Sequence, residues 1–189
     1  MGDIKKQRKK YVTPRFPWRS DILKDELKFL GQYGLRNKRE LWRHETMLSK
    51  FRGIARSLIG KPPEEREKME RELLSHLKKL GVLNETAVLD DILDLTIEDI
   101  LERRLQTIVF RKGLAKSIYQ TRQLITHGHI TVGNRKVTTP SYIVSRQEEN
   151  KIAYASKSPF SNPNHPLRQT ITVASSTEAR SNEMTEKDQ

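Results

Sequence analysis

Apolar residues recur along this chain with two periods. Through most of its length they return every three or four positions, the period of a helix with one buried stripe. The longest such stretch is Lys38 to Ile59, where Leu41, Leu48, Phe51, Ala55 and Leu58 share a side. Gly60 and the Pro62-Pro63 pair end it. Upstream, Ser20 stands where it would cap a helix from Asp21 to about Leu30, with Gly31 and Gly34 as breakers and a cationic turn over Arg36 to Arg39. Downstream, Glu64 to Leu80 carries Met69, Leu73, Leu77 and Leu80 at helical spacing. Its glutamates gather toward the start and Lys78 and Lys79 at the end, as the helix dipole favours.

From Thr96 the pattern shortens. Thr96 and Asp99 form an N-terminal capping signal, and Ile97, Ile100, Leu101, Leu105 and Ile108 can then share one stripe of a single helix ending at Gly113. Ser117 and Gln120 give a second capping box, opening a helix that turns Leu124 and Ile125 inward and stops at Gly128. The period then switches to two. Ile130 and Val132 alternate with polar residues, Gly133-Asn134 is a hairpin turn, and Arg135 to Val137 is the returning strand. Tyr142 to Val144 and Ile152 to Tyr154 are expected to complete the sheet. The fold class is therefore α+β, a helical first part followed by two helices packed on a short, mainly antiparallel sheet. Ser, Asn and Pro dominate Ser156 to Pro166, Thr170 to Val173 has the pattern of one more short strand, and Ser175 onward reads as disordered.

Charge sharpens this picture. The 189 residues carry a formal net charge of +12, unevenly placed. Residues 1–61 hold a net +11, 62–102 a net −7, 103–157 a net +9 and 158–189 a net −1. Two basic blocks thus flank an acidic one, a layout suited to an RNA whose phosphates release counterions on binding. A membrane surface is the weaker partner, because no basic helix carries a strong aromatic stripe. No apolar run is long enough to span a bilayer, and the basic start lacks the apolar segment of a secretory signal. With no cysteine there is neither a disulfide framework nor a thiolate zinc site, which fits the cytosol.

Candidate catalytic or metal chemistry yields to plainer readings. The glutamates of 64–80 alternate with Arg and Lys, as on a solvated helix. Asp90, Asp91 and Asp94 lack the Gly and terminal Glu of a calcium loop. His127 and His129 have no carboxylate beside them in sequence, and flanking Gly128 they suit hydrogen bonds or phosphate contacts. Trp42, on an amphipathic helix, reads as core rather than as a base-stacking platform. There is no P-loop, GxGxxG or nucleophile elbow. No cofactor and no structural metal are expected.

Several motifs together resemble the S-four RNA-binding domain. They are the Arg103-Arg104-Leu105 start, Gly113-Leu114-Ala115 before the capped helix, Gln120 to Ile125, His127-Gly128-His129-Ile130, and Pro140-Ser141-Tyr142. Tyr33 to Leu41 and the basic start through Pro14-Arg15-Phe16-Pro17-Trp18 are similar to the amino-terminal region of the ribosomal S-four family, in its archaeal-type layout. The likeness covers roughly Lys5 to Ala155. One departure is Gly133-Asn134, where the domain often has Asn-Gly. The resemblance implies a basic extended arm over 1–19, a helical rRNA-binding domain over 20–102, an S-four domain over 103–157, and an extended or disordered tail over 158–189.

It also implies a non-enzymatic, cytoplasmic constituent of the small ribosomal subunit. Such a protein would bind 16S rRNA directly, nucleate assembly of the subunit body and help set decoding accuracy through ribosomal protein S-five. A biogenesis factor using the same domain is the nearer alternative. An RNA-modifying enzyme with an accessory S-four domain is the more distant one, since no room is left for a catalytic domain. The expected RNA contacts in the arm are Lys5, Lys6, Arg8, Lys9, Lys10 and Arg15. In the helical part they are Arg36, Lys38, Arg39, Arg43, Arg52 and Arg56. In the domain they are Arg103, Arg104, Arg111, Lys112, Lys116, Tyr119, Gln120, Arg122, Gln123, His127, Asn134, Arg135 and Lys136, with Ser117 as a cap whose hydroxyl also faces a phosphate.

Overall fold

A computed structural model describes residues 9–166 and 168–169. The chain divides into two compact units, one of Met1–Ser75 with Glu85–Leu101, the other of His76–Asn84 with Glu102–Gln189. The expected tail strand over 170–173 and the segment from Ser175 lie outside the described residues, as does the start of the arm.

The first unit is helical. Helix α1 (Ser20–Gln32) packs against α2 (Lys38–Ile59), which also meets the short α4 (Asp91–Asp94). Leu41, Leu48, Ala55 and Leu58 of α2 are buried, as their shared side requires. Tyr33, Leu35, Leu41 and Leu101 form a small core, with Phe29, Leu30 and Ile97 against it. Asn37 caps α2, its side chain accepting the Glu40 N–H at 3.1 Å. Helix α3 (Pro63–Leu80) belongs to this unit through Ser75 and to the second unit from His76; it buries Leu73 and Leu77 but leaves Met69 about half exposed, so its apolar stripe is shorter than the spacing predicts.

Two expectations here change. Helix α1 starts one residue early, with Arg19 at the cap position, because Ser20 donates its hydroxyl to Asp21 instead of capping. Gly31 lies inside the last turn of α1; only Gly34 takes a positive φ. The later part of the arm is also not a free extension. The Val12 N–H donates to Thr46 Oγ1 at 3.0 Å, and the Tyr11 ring lies 5.9 Å from that of Trp42.

The second unit carries the larger core. Helices α6 (Leu105–Arg111) and α7 (Ile118–Thr126) pack on each other. They share buried Leu105, Ile108, Val109, Leu124 and Ile125 with Ile130, Val132, Val144 and Ile152. The sheet has strands β1 (Ile130–Val132), β2 (Arg135–Lys136) and β3 (Ile152–Tyr154) in the order β2-β1-β3, all pairs antiparallel. Val132 faces Arg135 across the hairpin. Gly133 has φ of 61° and Asn134 does not follow it into positive φ. Positive φ at the first central position alone is the type II′ arrangement, so the reversed Gly-Asn order changes the turn type and keeps the hairpin.

The single helix expected from Thr96 to Gly113 is two. Helix α5 (Ile97–Glu102) stops, and α6 begins after an extended Arg104 with ψ of 141°. The reason is tertiary. Arg103 C=O accepts the Val144 N–H at 2.9 Å, Leu105 N–H donates to Tyr142 C=O at 2.7 Å, and Arg104 bridges Ile143. Residues 142–144 are thereby taken from the sheet, where they were expected, and spent on this crossing. A short helix α8 (Arg146–Glu149) follows, and among the described residues after β3 there is a 3-10 turn, Pro159–Ser161.

Gly113 ends α6 with φ of 66° and nothing within 4 Å of where a Cβ would stand. Gly113→Ala should therefore test backbone strain alone. The expected loss is about 1–2 kcal/mol, read as a lower urea midpoint with unchanged slope.

Candidate nucleic-acid interface

The α6–α7 connection presents a run of polar side chains on a fixed frame. Gly113 reverses the chain after Arg111 and Lys112, and Ser117 restarts the helix by accepting the Gln120 N–H at 3.2 Å. Gln120 does not reach back to Ser117; its Oε1 accepts the Lys116 N–H at 2.7 Å. The frame is locked from inside by Gln106, fully buried, which donates Nε2–H to Ile118 C=O at 3.0 Å. On α7, Ile118, Thr121, Leu124 and Ile125 face the core, so Tyr119 and Gln123 face outward, Tyr119 at 61% exposure.

The predicted contacts separate into three groups. Lys5, Lys6 and Arg8 lie outside the described residues. Exposed positions are Lys9, Lys10, Arg15, Arg36, Arg39, Arg43 and Arg56 in the first unit. In the second they are Arg111, Lys112, Lys116, Ser117, Tyr119, Gln123, His127, Asn134, Arg135 and Lys136. Some of these have intramolecular company. Lys9 sits 4.5 Å from the Tyr11 ring centre and Arg15 5.5 Å from that of Phe16. Arg111 pairs with Glu102, and Lys112 donates to the Glu149 carbonyl.

The third group is built into the fold. Arg104 is fully buried and is not offered to a partner, a correction that follows from its place at the crossing with Ile143. Arg103 is mostly buried, bound to Glu149 at 2.8 Å and to the Val144 carbonyl at 3.2 Å. Arg122 is half-buried and turns toward Gln106 Oε1 at 3.4 Å. Gln120 is half-buried in its capping role. Lys38 pairs at 2.7 Å with Glu26, whose carboxylate is nearly buried. Arg52 donates to the Leu95 carbonyl at the end of α4. Trp42 is half-buried, its indole N–H given to Glu26 at 2.7 Å, which favours the core reading over a stacking platform. Glu45 lies beside this cluster, and burial together with the Glu26 charge raises its pKa.

Sequence reasoning missed two features. Lys151 and Lys157 are exposed cations after the hairpin, and charge alone would have flagged them. Glu148 is a hub that no motif announced. Its carboxylate accepts the Ser145 hydroxyl at 2.9 Å, the Ser145 N–H at 3.2 Å and the Tyr142 hydroxyl at 3.0 Å. Burial pushes its pKa up, but these hydrogen bonds and the nearby Arg135 outweigh it and hold the group below the ordinary glutamate value. Tyr142 is raised in turn, by burial first and by Glu148 second. His129 is lowered by burial and by the charges of His127 and Lys136, so its imidazole is neutral near pH 7.

Among the described residues no group of three or more His, Cys, Asp or Glu could hold a metal ion. No helix among them is long and apolar enough to cross a membrane. The arrangement offers rigidly held ammonium, guanidinium, amide and aromatic groups, the repertoire that meets phosphate and base edges.

Comparison with known proteins agrees with this chemistry. Residues 103–150 match the S4 domain. The chain is 56% identical over 160 residues to the small ribosomal subunit protein uS4 of Hyperthermus butylicus, covering 85% of this chain and 91% of that protein. It is 55% identical over 160 residues to the uS4 protein of Ignicoccus hospitalis, covering 85% and 96%. The uS4 protein of Metallosphaera sedula is 55% identical over 163 residues, covering 86% and 91%.

A lowered carboxyl pKa contributes stability above the unfolded value and loses it as pH falls through the folded one. Glu148→Gln should thus destabilise the chain at pH 7 by about 1 kcal/mol. The deficit should shrink as pH falls below the ordinary glutamate value and through the lower folded one, where the wild-type carboxyl is itself protonated; a series of denaturant titrations from pH 7 into the acid range checks this.

Proposed function

Because the chain belongs to the family of small ribosomal subunit protein uS4, we propose that it is a structural, non-catalytic constituent of the small ribosomal subunit that binds the subunit's rRNA directly. In this reading it acts in the cytoplasm, inside the subunit, as a primary binder that nucleates assembly of the body. The observation that carries the reading beyond family membership is the exposed set Arg111, Lys112, Lys116, Tyr119 and Gln123, gathered where α6 turns into α7.

The proposed mechanism is scaffolding. The narrow major groove of A-form RNA excludes side chains, so recognition rests on phosphate positions, helix shape and unpaired bases. The α6–α7 turn and the hairpin residues Asn134, Arg135 and Lys136 would hold one RNA surface. Arg36, Arg39, Arg43 and Arg56 of the first unit would hold another, with Lys9, Lys10 and Arg15 of the arm laid along the backbone. The domain limits 20–102 and 103–157 belong to the same proposal. Arg103, Lys38 and Arg52 contribute by holding the frame, and Arg104 is withdrawn as a contact because it is buried.

Binding to small-subunit rRNA over a salt series tests this. The expected result is tight binding with a steep salt slope and backbone protections at one junction of helices. Replacing Lys116 by Ala should flatten the slope by about one without changing the melting temperature. Diffuse binding with no discrete protection would favour a biogenesis factor, and failure to sediment with mature subunits would complete that case.

The proposed role in decoding accuracy works through a contact with ribosomal protein S-five. Substitutions that weaken that contact should shift the misreading frequency in a translation assay while leaving rRNA affinity intact. Unchanged misreading would remove this part of the proposal.

A further inference from the structure

We propose that the second unit contains a pocket for a single unpaired RNA nucleotide, with the phosphate held by Lys136 and Lys157 and the base met by His127 and Asn134. The inference rests on the RNA-binding reading and specifies one contact within it.

The pocket is a cavity of about 440 Å³. Its walls are the His127–His129 loop, the hairpin at Asn134 and Lys136, and the segment from Ala155 to Pro159. That volume falls within the range of small-ligand sites, and it exceeds what one phosphate group fills. The wall carries two lysines and an exposed imidazole, and no acidic side chain lines it. An anion is therefore favoured and a cation is not. Pro159 and Ala155 add apolar surface to a wall that also includes Asn134. Unpaired nucleotides in RNA are recognised by this mixture of ammonium, amide and ring surface.

The wall is preformed. Ala155 N–H donates to the His129 carbonyl at 2.8 Å, continuing the β1–β3 pairing. His129 Nδ1 lies 2.9 Å from Ser158 Oγ, and Ser158 Oγ accepts the Phe160 N–H at 3.2 Å. Phe160 and the His129 ring meet in a T-shaped contact at 5.0 Å, and Phe160 stacks on Tyr154 at 6.1 Å. The Tyr154 hydroxyl donates to the Leu114 carbonyl. Lys157 therefore stands on a segment fastened at both ends. A half-buried His129, held by Ser158 and Phe160, serves as a hydrogen-bonding post in the wall.

Part of the pocket wall lies past the matched domain, and part depends on a glycine within it. The S4 domain match ends at residue 150, so Lys157, Ser158 and Pro159 are supplied by the chain beyond it. Gly128 is buried with φ of 75°, and a Cβ there would come within 1.8 Å of Lys136 Cε. The absent side chain is what allows Lys136 to lie across the loop beside the pocket.

The test uses the full chain bound to small-subunit rRNA, probed with base-selective and backbone-selective reagents. Lys157→Gln and Asn134→Ala are compared with wild type and with Lys116→Ala on the α6–α7 turn. Wild type should shield one unpaired base together with its phosphate. Lys157→Gln should weaken binding about 3- to 10-fold and flatten the salt slope by about one. It should restore reactivity at that nucleotide alone. Asn134→Ala should restore base reactivity there with little change in slope. Lys157 and Asn134 are exposed, and an unchanged thermal melt confirms that both variants fold. If Lys157→Gln keeps wild-type affinity, slope and footprint while Lys116→Ala weakens binding, the pocket is empty and the RNA-binding reading stands. Backbone shielding without base shielding overturns the nucleotide assignment. Absence of binding by wild type overturns the functional reading and this inference with it.

Discussion

The backbone crossing between Arg103–Gln106 and Pro140–Val144 is the constraint on which the second unit depends. Its hydrogen bonds, Val144 N–H to Arg103 C=O, Leu105 N–H to Tyr142 C=O and the weaker Gln106 N–H to Pro140 C=O at 3.3 Å, fix where α6 begins. They bury Arg104 and bring Val144 into the core beside Leu105 and Val109. The crossing is secured again a few residues on. Arg103 reaches Glu149, and Glu148 holds both Ser145 and Tyr142. A buried backbone group left unpaired costs free energy comparable to a lost hydrogen bond, so the two chain segments are strongly held to this register. Everything exposed on α6, on the turn to α7 and on the hairpin inherits its position from there.

The basic residues of this protein do two kinds of work. An exposed lysine such as Lys116 costs the fold nothing and is available to a phosphate. A guanidinium such as that of Arg103 is committed to the fold, in a pair with Glu149 that salt screens less than a fully exposed one. Lys38 belongs with Arg103, since the Glu26 carboxylate it meets is nearly buried and also holds Trp42. Removing one partner of such a pair leaves an uncompensated charge. Net charge alone therefore overstates the surface facing RNA. The subset that remains exposed on rigid backbone is the better measure of the interface.

The segment after β3 extends the same logic past the matched domain. It is short of apolar residues, yet it is fastened by Phe160 between His129 and Tyr154 and by Ser158 against His129. Such contacts set a loop in place without a strand or helix of its own. They convert a Ser- and Pro-rich stretch into the wall of a pocket.

Much of this was legible in the sequence because it rests on local physics. The 38–59 helix, the Ser117 cap, the glycine ends of α6 and α7 and the Gly133 hairpin follow from periodicity, side-chain capping and allowed φ, each decided within a few residues. The α+β class and the family motifs followed from the same positions. What only the tertiary structure decided are choices between partners distant in the chain. An apolar stripe running through Arg103 and Arg104 satisfies a helix as well as it satisfies a break, until residues 142–144 compete for the same backbone groups. The letter Arg reads alike at positions 104 and 111, yet burial separates the two completely. Glu148, Lys157 and the cavity beside His127 depend on residues that meet only after folding. Sequence period reports which face a residue takes; it does not report what that face will meet.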